Sequence, residues 1–293
     1  MAKWKGQSRG TVLGLKIYVF IIRNFGLYSA YFVLWFVVLY FIFFSFTSTR
    51  STFYLFKRRL KHSFFRSCAD VFQSYFTFGK IQIDRLAIGA GMKDRFSFHF
   101  DGVQNIKNML KENRGGILLT AHIGNFNLAR HFFTDEKYPV TINLVMSDLE
   151  HKQIKNYINS VTGKSHVRFI VLKEDLSHIF RMHKALDNNE LLVFAADRFL
   201  ENTKTYSEMF LGRPVQFPQG PFKLAVRNDI PVLFVHIMRE RKFHYHFYAR
   251  RYENSEKSVK NLLKSYLENL EFMVKKYPYQ WYNYYDYWND FNV

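Results

Sequence analysis

The longest apolar stretch of the chain lies near its start. Residues 24–49 carry no charged side chain, and Phe25 to Phe46 supply 22 positions that are nearly all apolar or aromatic. A helix crossing a bilayer needs about 20 such residues, whereas a cleaved signal peptide has a shorter apolar core followed by small residues. This run ends in Phe43-Phe44-Ser45-Phe46, too bulky for a cleavage site. The pattern therefore predicts an uncleaved membrane helix, either spanning or inserted from one side. From Ser51 to about Gly79, Phe53, Phe56, Leu60, Phe64 and Val71 fall on one helical stripe beside basic residues. That pattern suits a helix on anionic lipid and equally a core-facing helix with a solvated basic face.

Further on, the periodicity changes repeatedly. Phe96 to Phe100 alternates with period two, a strand signal, and Asp101-Gly102 turns the chain into a helix over Val103–Lys111. Leu118 to Ala121 reads as a buried strand ending at His122, with a helix after Asn127. Further strands are predicted at 140–146, 169–172, 191–196, 232–238 and 243–252, and helices at 149–161, 176–186 and 258–275. Gln219-Gly220-Pro221 opens one more helix with proline in its first turn. Such alternation predicts an α/β fold, a mostly parallel central sheet flanked by helices and preceded by the membrane helix. The expected division is residues 1–50 for the basic segment and membrane helix, and 51–293 for one α/β domain, without internal repeats.

Composition sharpens this picture. Aromatics reach 19%, with 33 Phe and 19 Tyr. That exceeds what a soluble core requires and suits contact with lipid or acyl chains, although an AT-rich genome would also produce it. The net charge is +18, and residues 1–69 contain 11 Lys or Arg and no Asp or Glu. An anionic partner follows, nucleic acid or a phospholipid surface, and the apolar run favours the membrane and argues against nucleic acid. Because Lys3 to Arg23 precede the run and Arg50 to Lys61 follow it, charge asymmetry does not decide an orientation. Cys68 is the single cysteine, which excludes an intrachain disulfide and a cysteine-cluster metal site.

Three polar clusters fall where predicted strands end: His122 with Gly124-Asn125, then Asp148 with Glu150-His151, then Asp197-Arg198. In a parallel sheet those ends share one edge, where α/β proteins hold their ligands. A histidine there suits general-base work, its ordinary pKa of about 6.5 letting it take and return a proton near neutrality. Arg198 suits a phosphate or carboxylate, or a local salt bridge with its neighbour. The stretch from Phe210 through Gly212-Arg213-Pro214 to Phe217-Pro218-Gln219-Gly220-Pro221 predicts a rigid loop before a helix N-terminus. Its backbone N–H groups would suit an oxyanion or phosphate, or the loop only positions the helix. Phosphate-loop, dinucleotide and zinc-protease motifs are missing. One Gly-x-Ser-x-Gly, Gly6 to Gly10, lies in the basic tail without the strand and helix a nucleophile elbow needs.

Jointly, four segments resemble the bacterial lipid A biosynthesis (lauroyl/myristoyl) acyltransferase family of the lysophospholipid acyltransferase superfamily. They are Ala121-His122-Ile123-Gly124-Asn125-Phe126, Ala196-Asp197-Arg198, the Phe210–Pro221 stretch, and the closing Tyr277-Pro278-Tyr279-Gln280-Trp281. The resemblance implies transfer of a fatty acyl group from acyl carrier protein or coenzyme A to a hydroxyl or amine of a membrane lipid. Acyl carrier protein is the expected donor; the +18 charge would attract an acidic carrier and a lipid headgroup alike, so charge does not settle the choice. The implied location is the inner membrane with the catalytic domain facing the cytoplasm, and no metal or cofactor is needed. His122 is the implied base, and Asn127 and Asp197 are candidate catalytic partners. With the strand-end clusters, the candidate substrate contacts are Gly124, Asn125, Asp148, Glu150, Arg198, Gly212, Arg213, Phe217 and Gly220.

One position departs from the pattern. The family motif is His, four residues, then Asp or Glu, and Asn127 stands in the last place. An amide accepts a hydrogen bond but offers no charge to an imidazolium; losing such an acid in a Ser-His-Asp triad costs about 10⁴ in rate. Three readings stay open: Asp197, Asp148 or Glu150 supplies the charge; Asn127 suffices for an easily deprotonated acceptor; or the protein is an inactive homologue that binds lipid or acyl chains.

Overall fold

A computed structural model of the chain describes residues 12–128, 140–146, 167–172, 175–199, 203–253, 256 and 258–288. Nine strands are described: β1 (Ser97–Asp101), β2 (Gly116–Thr120), β3 (Ile142–Met146), β4 (Val167–Val171), β5 (Leu191–Ala195), β6 (Thr205–Phe210), β7 (Arg213–Pro218), β8 (Val232–Arg241) and β9 (His244–Arg251). Seven of them form one sheet in the order β1-β9-β8-β2-β5-β3-β4. Pairing is parallel throughout except between β8 and β9. The central strands β2 and β5 are buried on both faces. That is why Ile117-Leu118-Leu119 and Leu191-Leu192-Val193-Phe194 read as continuous apolar runs without alternation.

Helices cover both faces. On one side lie α1 (Val12–Phe44), α3 (Phe64–Gly89) and α4 (Val103–Lys111), contributing Leu34, Ile81 and Met109 to a core shared with Leu118 and Val193. On the other lie α5 (Ser177–Asp187), α6 (Gly220–Arg227) and α7 (Val259–Lys276), with Leu186, Phe222 and Tyr266 against Leu119 and Leu192. Between α1 and α3, the short α2 (Phe46–Tyr54) runs into a π-helical turn over Leu55–Arg59. Helices α1 and α3 approach closely because residue 79 is glycine: a Cβ there would meet Leu34 Cδ1 at 2.3 Å.

Two expectations are corrected. The stripe from Ser51 to Gly79 is not one helix. Lys61 adopts a left-handed backbone (φ 59°), and Ser63 caps a new helix by accepting from the Arg66 N–H. The helical periodicity simply continued across the break, so spacing alone could not reveal it. The Phe210–Pro218 segment is not a loop but the β6–β7 hairpin, turning at Leu211 (φ 48°) and Gly212 (φ 77°). Positive φ at both central residues is the turn geometry that matches strand twist in two-residue hairpins. The helix expected at 149–161 lies outside the described residues. Of the helix expected after Asn127, the described part is a short 3-10 turn, Phe126–Leu128.

Candidate active site

His122 follows β2 and Asp197 follows β5, and these strands are parallel neighbours in register Thr120↔Ala195. Two residues past that register the side chains meet. His122 Nδ1 lies 2.7 Å from Asp197 Oδ1, and the His122 backbone N–H donates to the same oxygen at 3.0 Å. The Trp281 indole N–H donates to Oδ2 at 3.1 Å, and the Tyr287 hydroxyl donates to the Asp197 carbonyl at 2.8 Å. The carboxylate is fully buried while about a third of the imidazole is exposed. Burial would raise the Asp197 carboxyl; the charge and hydrogen bond of His122, with Arg198 and the Trp281 N–H, outweigh it and hold the value down to about 2. Asp197 is thus an acceptor only at neutral pH. His122 Nδ1 therefore carries the proton, and the resulting tautomer keeps its lone pair on Nε2.

The turn carrying His122 is built against the end of β8 and the closing segment. Gly124 N–H donates to Gln280 O at 2.8 Å, Asn125 N–H to Ile237 O at 2.7 Å, and Tyr282 N–H to His122 O at 2.9 Å. Gln280 in turn brackets Arg239, accepting from its N–H at 2.9 Å and donating to its carbonyl at 2.7 Å. Gly124 sits at φ 63°, where a Cβ would strike the Ile237 carbonyl oxygen at 2.1 Å; backbone packing alone requires glycine here. Under the turn, the buried Tyr266 hydroxyl donates to Thr120 O at 2.9 Å. A histidine held by an ionised aspartate at the carboxyl edge of a parallel sheet can take a proton from a substrate hydroxyl or amine.

A family model for bacterial lipid A biosynthesis acyltransferases matches residues 57–289. The chain belongs to that family. A search of curated proteins gives no match. Membership makes the protein an acyltransferase with an acyl donor and a lipid acceptor as its substrates. Helix α1 lies wholly before the matched span, and its apolar stretch Leu13–Phe44 is long enough to cross a membrane.

In this acyltransferase the expected site residues separate into groups. His122 and Asp197 are in contact. Gly124 and Asn125 shape the turn, with Asn125 buried beside Tyr245. Arg198 donates to the Tyr282 carbonyl, and its guanidinium lies 5.4 Å from the Tyr285 ring centroid, so it braces the closing segment. Gly212 and Arg213 form the exposed tip of the β6–β7 hairpin, and the Leu211 N–H beside them donates to Glu271 at 2.6 Å. Phe217 is fully buried against Phe210, which packs edge-on against Trp281; Gly220 begins α6. Asp148, Glu150 and the Asn127 side chain lie outside the described residues.

Two groups escaped the sequence reading. Trp281 and Tyr287 hold Asp197, and the Gln280-Trp281 pair was visible only as part of a motif without a role. The second group is a buried polar node: Asp84 on α3 accepts from the Tyr31 hydroxyl of α1, from Tyr245 at 2.6 Å and from Arg239 Nε at 2.9 Å. Its one sequence signal is an acid among the isoleucines and leucine of Ile81–Ile88.

Proposed function

We propose that the protein transfers a fatty acyl group from acyl carrier protein, or coenzyme A, to a hydroxyl or amine of a lipid acceptor, with His122 as general base. The observation that carries this reading is the 2.7 Å contact from His122 Nδ1 to a buried, ionised Asp197. Nε2 takes the acceptor's proton as its oxygen or nitrogen bonds to the thioester carbonyl carbon. The C–S bond then breaks, and the departing thiolate receives the proton from the imidazolium. Asp197 stabilises that imidazolium, filling the role that Asn127 would otherwise leave without a charge. The reaction balances with donor and acceptor alone, so the reading invokes no metal or redox cofactor.

Asn127 orients the turn in this proposal. Arg198, Arg213, Gly212, Asp148 and Glu150 contact donor or acceptor, with Phe217 and Gly220 supporting that surface from beneath, and the catalytic domain faces the cytoplasm from the inner membrane. The aspartate beside His122 weighs against an inactive lipid-binding homologue. The test is His122→Ala assayed in membranes with a labelled acyl thioester. Loss of transfer with lipid binding retained supports the reading, and undiminished transfer overturns it.

A further inference from the structure

Helix α1 carries two demands that conflict in an upright membrane helix. Its buried stripe, from Val19 through Leu27 and Leu34 to Val38, packs on α3 and the domain core. That contact covers about 28 Å of helix axis at 1.5 Å per residue, close to the ~30 Å thickness of the hydrocarbon. An upright α1 would therefore draw α3 and the sheet edge into the bilayer alongside it. Those neighbours are charged: Tyr31 bonds Asp84, Asp84 pairs with Arg239, and Lys242 Nζ lies 4.4 Å from the Tyr28 ring centroid. The remaining faces of α1 are apolar and exposed, with Phe20, Phe25, Phe32, Phe36 and Phe43 pointing away from the domain.

Two independent features agree. Gly26 breaks the helix with φ 83° and ψ 178° three residues past Arg23, so the basic segment before it departs from the line of the apolar segment and can follow a surface. The basic flanks also match at both ends: Lys16 and Arg23 on one side, Arg50 and Lys57 to Arg59 on the other, with no acid in residues 1–69. A crossing helix concentrates its basic residues on one side; a helix with both ends at the same anionic surface carries them at both.

We propose that α1 does not cross the bilayer but lies along one leaflet, its aromatic faces in the acyl chains and the catalytic domain beneath it. The lipid leaflet is the occupant of this surface, and the inference rests on the membrane-acyltransferase reading only for the presence of a membrane. The lone Cys68 makes the test simple. In a full-length Cys68→Ser background, Lys16→Cys and Arg50→Cys are treated in sealed vesicles with an impermeant maleimide. Spin labels at Phe20→Cys, Phe32→Cys and Phe43→Cys report depth. Labelling of both flanks from one side, with all three labels equally deep, is expected. An upright helix would spread Phe20 and Phe43 over about 34 Å along its axis, with Phe32 near the centre. Labelling from opposite sides, or spin labels without lipid contact, overturns the proposal. His122-dependent acyl transfer in the same vesicles keeps the chemistry separate: it can persist when the leaflet arrangement fails, and fail when the arrangement holds.

Discussion

His122 and Asp197 are joined twice through one oxygen: Asp197 Oδ1 accepts both the backbone N–H and the ring Nδ1 of His122, at 3.0 and 2.7 Å. The first bond fixes where the turn sits and the second fixes how the ring is rotated. Asp197→Asn keeps the shape but presents a neutral amide in place of the carboxylate. Rate measurements on this variant should show kcat lower by about 10⁴-fold with KM little changed. A loss below tenfold would mean that the charge comes from elsewhere.

Position 127 is the natural companion experiment. With Asp197 already supplying the charge, Asn127→Asp should leave kcat within a factor of about three of wild type. A gain of tenfold, equivalent to about 1.4 kcal/mol of barrier, would place the missing charge at residue 127 instead.

The strands and helices were readable because each shows its own period. Val103–Lys111 forms as expected, and the strands at 191 and 232 begin where expected. Because β2 and β5 run parallel, His122 and Asp197 were expected at the same sheet edge, where they meet. Less visible were events that interrupt a pattern without changing its composition. The break at Lys61 keeps the helical stripe in phase, and the β6–β7 hairpin hides among prolines that suggested a loop. Long-range polar pairing was hidden altogether. Nothing near Tyr31 announces that its partner is Asp84, 53 residues away, because such contacts depend on packing rather than spacing.

That buried node supports a stability prediction. Asp84 is fully buried and the Arg239 side chain is only 9% exposed. Asp84→Asn leaves the guanidinium in a dry site without its counter-charge, which should cost about 3 kcal/mol. At about 2 °C per kcal/mol for a large domain, the thermal midpoint should fall by about 6 °C. An unshifted melting curve would show that the ion pair contributes nothing net.

His236 gives a distinct pH signature. Its ring is buried in β8 with Nε2 2.8 Å from Asn269 Oδ1; burial lowers its pKa to about 4, outweighing the hydrogen bond and the more distant Asp197. The unfolded chain takes a proton near pH 6.5, whereas the folded chain resists until about 4. Stability from this residue is therefore complete above pH 6.5 and lost progressively down to pH 4, by about 3 kcal/mol. His236→Gln should flatten denaturation midpoints over that window, and an unchanged slope would assign the pH dependence elsewhere. Asp197 acts lower: its depressed pKa gives stability present above about pH 4 and lost as pH falls toward 2.

The order of assembly along the chain has one more consequence. Every described strand of the sheet, and every described helix packed on it, precedes Trp281 and Tyr287, which close over Asp197. A nascent chain still held at residue 276 has the sheet and the histidine but an open seat for the aspartate. If Asp197 serves His122 as proposed, the pair is completed only when the segment around Trp281 emerges and docks, so its completion is coupled to translation beyond the sheet.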